Sequence, residues 1–460
     1  MLTYLELRNF KSFSDIRLDL TGAYGEPKKL VFIYGENGSG KSNLLSSLLF
    51  LLQTLHTLEN QYRMKKTSDF KGLPLGFVEG EKAQEEFLQQ ILRTRFFTLF
   101  DLIDGYKMLG NDQPMSLKLG FRLKGEDGSY YMEFSEHSII REELRYRLNT
   151  REGVVFSLGQ KTDRLSPSIF FDTAYRKELQ ETIEKYWGKH TFMAILANEI
   201  QSKNDAYIHA RLGINILEVL DWFKRLSVFC KQSKGETGRL SIPLKFMINL
   251  EQGYVKSKND KELRLCEKAL NTFFTQLYPD IKAAHYVFSS KGKKLSYELY
   301  FRKQIDGKLI DVPVSLESTG TQKLLEIFPL LFSGCAGSSV AVDEIDSGIH
   351  DLLMKNILEL LSDSIKGQFI ATTHNTLLME SLPPESTYII RMDASGKKTI
   401  DCISGYAERT QKTNSVRSKY LRGDYEGVPI AGYFDFGELV EDILGNIPAS
   451  SPVDQEDEEA

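Results

Sequence analysis

Residues 2–20 alternate apolar and polar positions over two stretches, with Asn9-Phe10-Lys11-Ser12-Phe13 between them, and predict two strands. Residues 30–34 are an uninterrupted apolar run, as expected of a strand buried on both faces. Residues 43–55 are apolar-rich and read as a helix. The region 60–113 is polar and charged apart from a helical stretch over 81–99. In 115–148, Leu117, Leu119, Phe121 and Leu123 alternate, Gly125-Glu126-Asp127-Gly128 supplies a turn, and Tyr130, Met132 and Phe134 alternate again. With a further strand at 139–146 this predicts an antiparallel meander.

Residues 176–229 turn helical, with Ile216, Val219, Leu220, Phe223 and Leu226 at helical spacing. Leu263, Cys266, Leu270, Phe273, Phe274 and Leu277 repeat that spacing after a loop rich in Lys, Gly and Ser. Alternation at Leu295, Tyr297, Leu299 and Phe301 predicts a strand that returns the chain to its core. From Val314 on, strands at 340–342, 369–372 and 388–390 alternate with helices at 322–332 and 351–365, the pattern of a mostly parallel sheet. The fold class expected is α/β: a core of mixed or parallel sheet, an antiparallel meander and a helical insertion. Its parts are 1–165 (first part of the core), 166–294 (helical insertion or lid), 295–447 (second part of the core) and 448–460 (a disordered acidic tail).

Composition narrows the class. The four cysteines, Cys230, Cys266, Cys335 and Cys402, are far apart, form no CxxC pair and suit a reducing cytoplasm. No apolar run is long enough to span a bilayer, and the opening residues read as a strand. The net charge of −5 requires any nucleic-acid contact to be a local patch. The basic clusters Arg63/Lys65/Lys66, Arg141/Arg145/Arg147/Arg151, Lys291/Lys293/Lys294 and Arg417/Lys419/Arg422 are interspersed with acids and read first as solvated faces.

The chemistry concentrates at Gly35-Glu36-Asn37-Gly38-Ser39-Gly40-Lys41-Ser42, which fits Gly, four residues, Gly-Lys-Ser/Thr between a strand and a helix. Gly35, Asn37, Gly38, Ser39 and Gly40 turn backbone N–H groups toward one anion. Lys41 is placed to neutralise the β- and γ-phosphates of ATP, and Ser42 to ligate Mg²⁺. The run Val340-Ala341-Val342-Asp343-Glu344 is the matching second half. Asp343 would hold Mg²⁺ directly or through water, and Glu344 would activate the attacking water. His374, closing the next strand in Thr372-Thr373-His374, could sense the γ-phosphate. The turn Glu317-Ser318-Thr319-Gly320-Thr321-Gln322 starts another helix, a second anion-binding end suited to a phosphate held by another subunit.

This order of motifs resembles the ABC-type ATPases of the SMC/RecF/OLD class. Leu7-Arg8-Asn9-Phe10-Lys11-Ser12-Phe13 looks like their first-strand motif, and Glu344-Ile345-Asp346-Ser347-Gly348-Ile349-His350 their D-loop. The signature Glu-Ser-Thr-Gly-Thr and the run Tyr-Leu-Arg-Gly-Asp-Tyr-Glu-Gly-Val-Pro within 417–429 are similar to the AAA15 subgroup of bacterial ATPases. Abortive-infection, RloA-like and PARIS ATPase subunits belong to that subgroup. The signature reads Ser-Thr-Gly-Thr where transporters have Ser-Gly-Gly-Gln, and no Q-loop glutamine is assigned, Gln61 included.

The resemblance implies a homodimer through two shared ATP sites, or a higher oligomer built on it. It puts Ser318 and Gly320 on the partner's nucleotide, Asp346 at the seam, and Asn9 and Lys11 beside the nucleotide. It also implies a sensor or scaffold subunit of an anti-phage system that controls a separate effector, of Toprim-nuclease type, because this chain shows no nuclease motif of its own. A RecF-like repair ATPase that clamps DNA is the alternative. A transporter motor fits poorly with the long insertion between Lys41 and Ser318.

Overall fold

The computed structural model describes residues 1–68, 96–159, 163–230, 247, 249–255, 260–291, 294–406, 415–428 and 434–445. Its strands are β1 (Leu2–Phe10), β2 (Phe13–Asp19), β3 (Leu30–Gly35), β4 (Met115–Leu123), β5 (Glu126–Phe134), β6 (Ile139–Arg147), β7 (Glu152–Gly159), β8 (Arg164–Leu165) and β9 (Ser227–Phe229). They continue with β10 (Gln252–Val255), β11 (Ile281–Lys291), β12 (Lys294–Ile305), β13 (Lys308–Pro313), β14 (Ser339–Val342), β15 (Gln368–Thr372), β16 (Thr387–Met392) and β17 (Lys398–Cys402).

These form three sheets. The central one runs β17-β16-β3-β15-β14-β9 and is parallel except for β17, which returns antiparallel along β16. Its middle strand shows why an unbroken apolar run is needed. Val31 and Ile33 face one core, while Leu30, Phe32 and Tyr34 face a second core on the other side.

The first core lies under the antiparallel sheet β2-β1-β4-β5-β6-β7-β8 and the helix Lys41–Thr54. The meander thus runs past its expected end at 148, through β7 and β8. Gln368 clamps this sheet to the central one: its amide accepts from Leu2 N at 2.7 Å and donates to Leu2 O and Lys28 O, each at 2.9 Å.

The second core contains the helices Thr319–Cys335 and Asp351–Ser364 and a small antiparallel sheet in which β12 pairs with β10, β11 and β13. One expectation changes here. Region 166–294 is not only helical. After the helix Ile214–Arg225, Ser227-Val228-Phe229 joins the central sheet beside β14, too short a strand to leave a periodic trace. The strand at 295–301 brings Tyr297, Leu299 and Phe301 into the core that also holds Phe32, Tyr34 and Val342. It forms a long hairpin with its neighbour β11, and the helix Asp260–Leu277 covers that hairpin, with Phe274 and Phe301 ring centroids 4.7 Å apart. The expected helix over 81–99 falls mostly outside the described residues, as do Lys293 and the tail 448–460; the helix Leu99–Tyr106 begins where that stretch ends.

One buried histidine gives a pH prediction. His190 lies 3.0 Å from Thr57 Oγ1 and 3.2 Å from Gln61 Oε1, so Gln61 is engaged by the helical region. Burial pushes the imidazole from 6.5 down to about 4. The unfolded chain therefore binds this proton first, and stability is lost as pH falls from 6.5 toward 4. The loss expected from this group is roughly 3 kcal/mol. Urea unfolding at pH 7 and pH 4.5 should show a smaller acid penalty in His190→Gln than in the parent chain.

Candidate functional site

The phosphate loop leaves β3 at Gly35 and enters the helix Lys41–Thr54 at Gly40. Two of its glycines are obligatory on steric grounds. Gly35 has φ +150°, and a Cβ there would lie 2.8 Å from Ile390 O. Gly40 has φ +104°, and a Cβ would lie 2.7 Å from the Phe13 ring. Lys41 is buried, and its Nζ donates to Gly35 O at 2.7 Å and Glu36 O at 2.9 Å, across the concave side of the loop. Burial lowers its pKa against the raising pull of Asp343, Glu344 and Asp346.

β14 delivers Asp343 beside this loop. Asp343 N donates to Phe229 O at 2.7 Å, and its carboxylate accepts from Thr372 Oγ1 at 2.6 Å and from Ser42. Burial raises the pKa of this carboxyl, while the Thr372 and Ser42 hydrogen bonds lower it. Thr372 is shared between both acids' backbone turns, since its Oγ1 also accepts from Glu344 N at 2.8 Å. Glu344 sits at φ +48°, a left-handed conformation that costs about 1 kcal/mol or more for a non-glycine residue and turns the chain sharply off the strand tip.

His374 follows β15, whose next residue Thr373 is tied to Ile33 O at 3.2 Å. Its imidazole is held below its ordinary value, first by desolvation and then by the Lys41 charge; Asp346, Glu344 and Asp343 oppose this. Lys41, Asp343, Glu344, Asp346 and His374 are therefore one electrostatic cluster, built from three strand ends that the central sheet sets side by side. Among the described residues, the buried Asp346 Oδ1 and Ser39 Oγ meet no hydrogen-bond partner.

The signature turn stands at the start of the 17-residue helix Thr319–Cys335. Ser318 caps it through Thr321 N at 3.3 Å, and Gln322 Nε2 closes the preceding loop on the carbonyls of Val314, Ser315 and Glu317. Gly320 packs on the D-loop-like stretch, where a Cβ would lie 2.7 Å from Gly348 O. Ser318 itself is exposed.

Of the first-strand residues, Lys11 is brought to the cluster and Asn9 is not. Lys11 Nζ lies 4.6 Å over the Tyr106 ring; burial lowers its pKa, and Cys230 and Asp343 raise it. The Asn9 amide is spent on the loop that follows, donating to Pro114 O at 2.9 Å and accepting from Asn111 Nδ2 at 2.7 Å. Sequence reading missed two contributors: Thr372 as the link between the acids and β9 as the strand bracing Asp343. Only Thr372 lay in a stretch already singled out. Within the basic clusters, Arg141 pairs with Glu143 at 3.3 Å, Arg145 with Glu152 at 3.2 Å and Arg417 with Glu380 at 2.8 Å.

The donor set fits a magnesium–nucleotide group. Glycine-loop N–H groups, Lys41 and the unpaired Ser39 hydroxyl suit phosphate oxygens, and Ser42 with Asp343 suits a metal that keeps most of its water ligands. Among the described residues there is no larger cluster of metal-ligating side chains and no helix long and apolar enough to cross a membrane.

This loop, set between a parallel strand and a helix with an Asp-Glu strand end beside it, defines a nucleotide-binding protein of the P-loop class. The family model described as "AAA domain, putative AbiEii toxin, Type IV TA system" matches residues 30–380, and the chain belongs to that family. A stretch of 51 residues is 47% identical to the chromosome partition protein Smc of Methanocaldococcus jannaschii, covering 11% of this chain and 4% of that protein. Solved structures with similar coordinates include an SMC head bound to the C-winged-helix domain of ScpA (TM-score 0.45, 16% identity, 87% of this chain and 97% of that one). The SMC head domain of Thermotoga maritima gives a TM-score of 0.38 at 17% identity, over 87% of this chain and 98% of that one.

Proposed function

We propose that the chain binds MgATP between two of its own copies, hydrolyses it, and serves as the sensor or scaffold subunit of an anti-phage system that controls a separate, nuclease-like effector. The AbiEii toxin wording of its family and the AAA15-like signature support the defence part of this reading. The observation that carries the shared site is the exposed Ser318 turn. It is a helix start whose capping side chain bonds, among the described residues, to its own Thr321, and the exposed turn leaves its outward face for a phosphate held by another copy.

Bound Mg²⁺ would supply charge neutralisation on the β- and γ-phosphates. Lys41 would bind the same phosphates, and Ser42 and Asp343 would hold the metal. Glu344 orients the attacking water and takes its proton. His374, whose pKa is held low by burial and then by Lys41, donates one hydrogen bond to the γ-phosphate.

The test is complementation in trans. Ser318→Arg and Lys41→Ala proteins should each be inactive alone. Their mixture should regain ATP turnover, since a mixed dimer holds one site with an intact loop and an intact signature. Mixed dimers that form and stay inactive would sink the shared-site reading. ATPase activity stimulated by DNA would instead favour the RecF-like alternative.

A further inference from the structure

The rim of the phosphate loop carries a cation that no motif announces. The hairpin between β16 and β17 turns at Asp393, whose Oδ1 accepts from Ser395 N at 2.9 Å and Lys397 N at 3.0 Å, with Gly396 at φ +80°. That turn sets the register of the next residue, Lys398, paired with Met392. Lys398 is 7% exposed. Its Nζ donates to Gly38 O at 2.8 Å and Ser12 Oγ at 2.9 Å, and lies 5.7 Å from the Phe13 ring. Ser12 Oγ also accepts from Asn43 Nδ2 at 2.8 Å. β17, the β1–β2 turn and the first turn of the loop helix thus meet at one carbonyl of the phosphate loop.

The charge is uncompensated. No carboxylate pairs with Lys398 among the described residues, and burial alone lowers its pKa. A buried cation without a counter-charge is costly, and the cost falls when an anion arrives. The bond to Gly38 O polarises the Gly38–Ser39 peptide. The N–H of that same peptide, which donates to Glu36 O at 3.2 Å, becomes a stronger donor.

We propose that Lys398 is a positioning residue of the nucleotide site, charging the phosphate loop from its outer side through the Gly38 carbonyl and lending the loop a second cation besides Lys41. The inference rests on reading residues 35–42 as a phosphate loop.

The test uses the full chain with MgATP as probe. Lys398→Met should weaken ATP binding about tenfold or more, as losing a charge-assisted contact does, and should make ATP affinity less sensitive to salt. The melting temperature of the nucleotide-free chain should stay level or rise, while its increase on adding ATP shrinks. Ser12→Ala keeps the charge and should lose less affinity; Lys398→Arg should recover part of it. A plain structural peg gives the opposite pattern, with a lower melting temperature without nucleotide and an unchanged salt dependence, and would overturn the inference. If Lys398→Met fails to fold, an unaltered salt dependence in Lys398→Gln does the same. A parent chain that binds ATP while Lys398→Met binds it equally well sinks this inference alone. A parent chain that binds no ATP sinks the phosphate-loop reading as well.

Discussion

Lys41→Ala should lose ATP binding by roughly a hundredfold or more, the scale of two charge-assisted hydrogen bonds removed from a desolvated site. The structure gives the reason. Lys41 Nζ spans the loop between Gly35 O and Glu36 O, and it is the side-chain cation facing Asp343, Glu344 and Asp346 across the concavity. Without it a polyanion would meet three carboxylates with no cation bonded inside the loop to offset them. Equilibrium titration with a fluorescent ATP analogue checks this directly. Affinity equal to the parent's would remove residues 35–42 from the role assigned to them.

The second large effect separates binding from turnover. Glu344→Gln keeps shape and removes the base, so ATP affinity should hold while hydrolysis falls about 10²–10⁴-fold. The left-handed backbone at Glu344 makes the substitution informative. Glutamine has no better access to that conformation than glutamate, so a strain difference does not confound the comparison. Single-turnover phosphate release and ATP binding should be measured on the same preparation. Normal turnover would mean that another group activates the water, with His374 the next to test.

Both predictions concern residues found in contiguous patterns, and that is why they could be read early. A glycine loop must be contiguous because neighbouring N–H groups converge on one anion. An Asp-Glu pair at a strand tip must follow an apolar run because the strand is buried on both faces. Alternation identifies a strand but not its partner: the pattern at 295–301 marks β12 as a strand, and its pairing with adjacent β11 is legible only in the structure. At 227–229 even the strand was hidden, because three residues cannot display a period of two.

Asn9 and Lys11 show the limit within a single motif. Both have positive φ in the same turn, yet one side chain is consumed by Asn111 and Pro114 while the other reaches the electrostatic field of Asp343. Two residues of spacing cannot predict that difference, because it depends on where the 106–114 loop runs.

The order of residues alone determined which chemical groups are candidates to meet a phosphate: glycine loop, lysine, the serine after it, acid pair, histidine and a serine-capped helix start. Each is a local pattern with a local physical cause. Folding decided how they are held. Thr372 ties Asp343 to Glu344, β9 braces Asp343 from 114 positions upstream, and Lys398 returns across 360 positions to the carbonyl of Gly38. Such contacts join strands that are neighbours only in a sheet. Hydrogen bonds and charge act through space, and no periodicity along the chain records them.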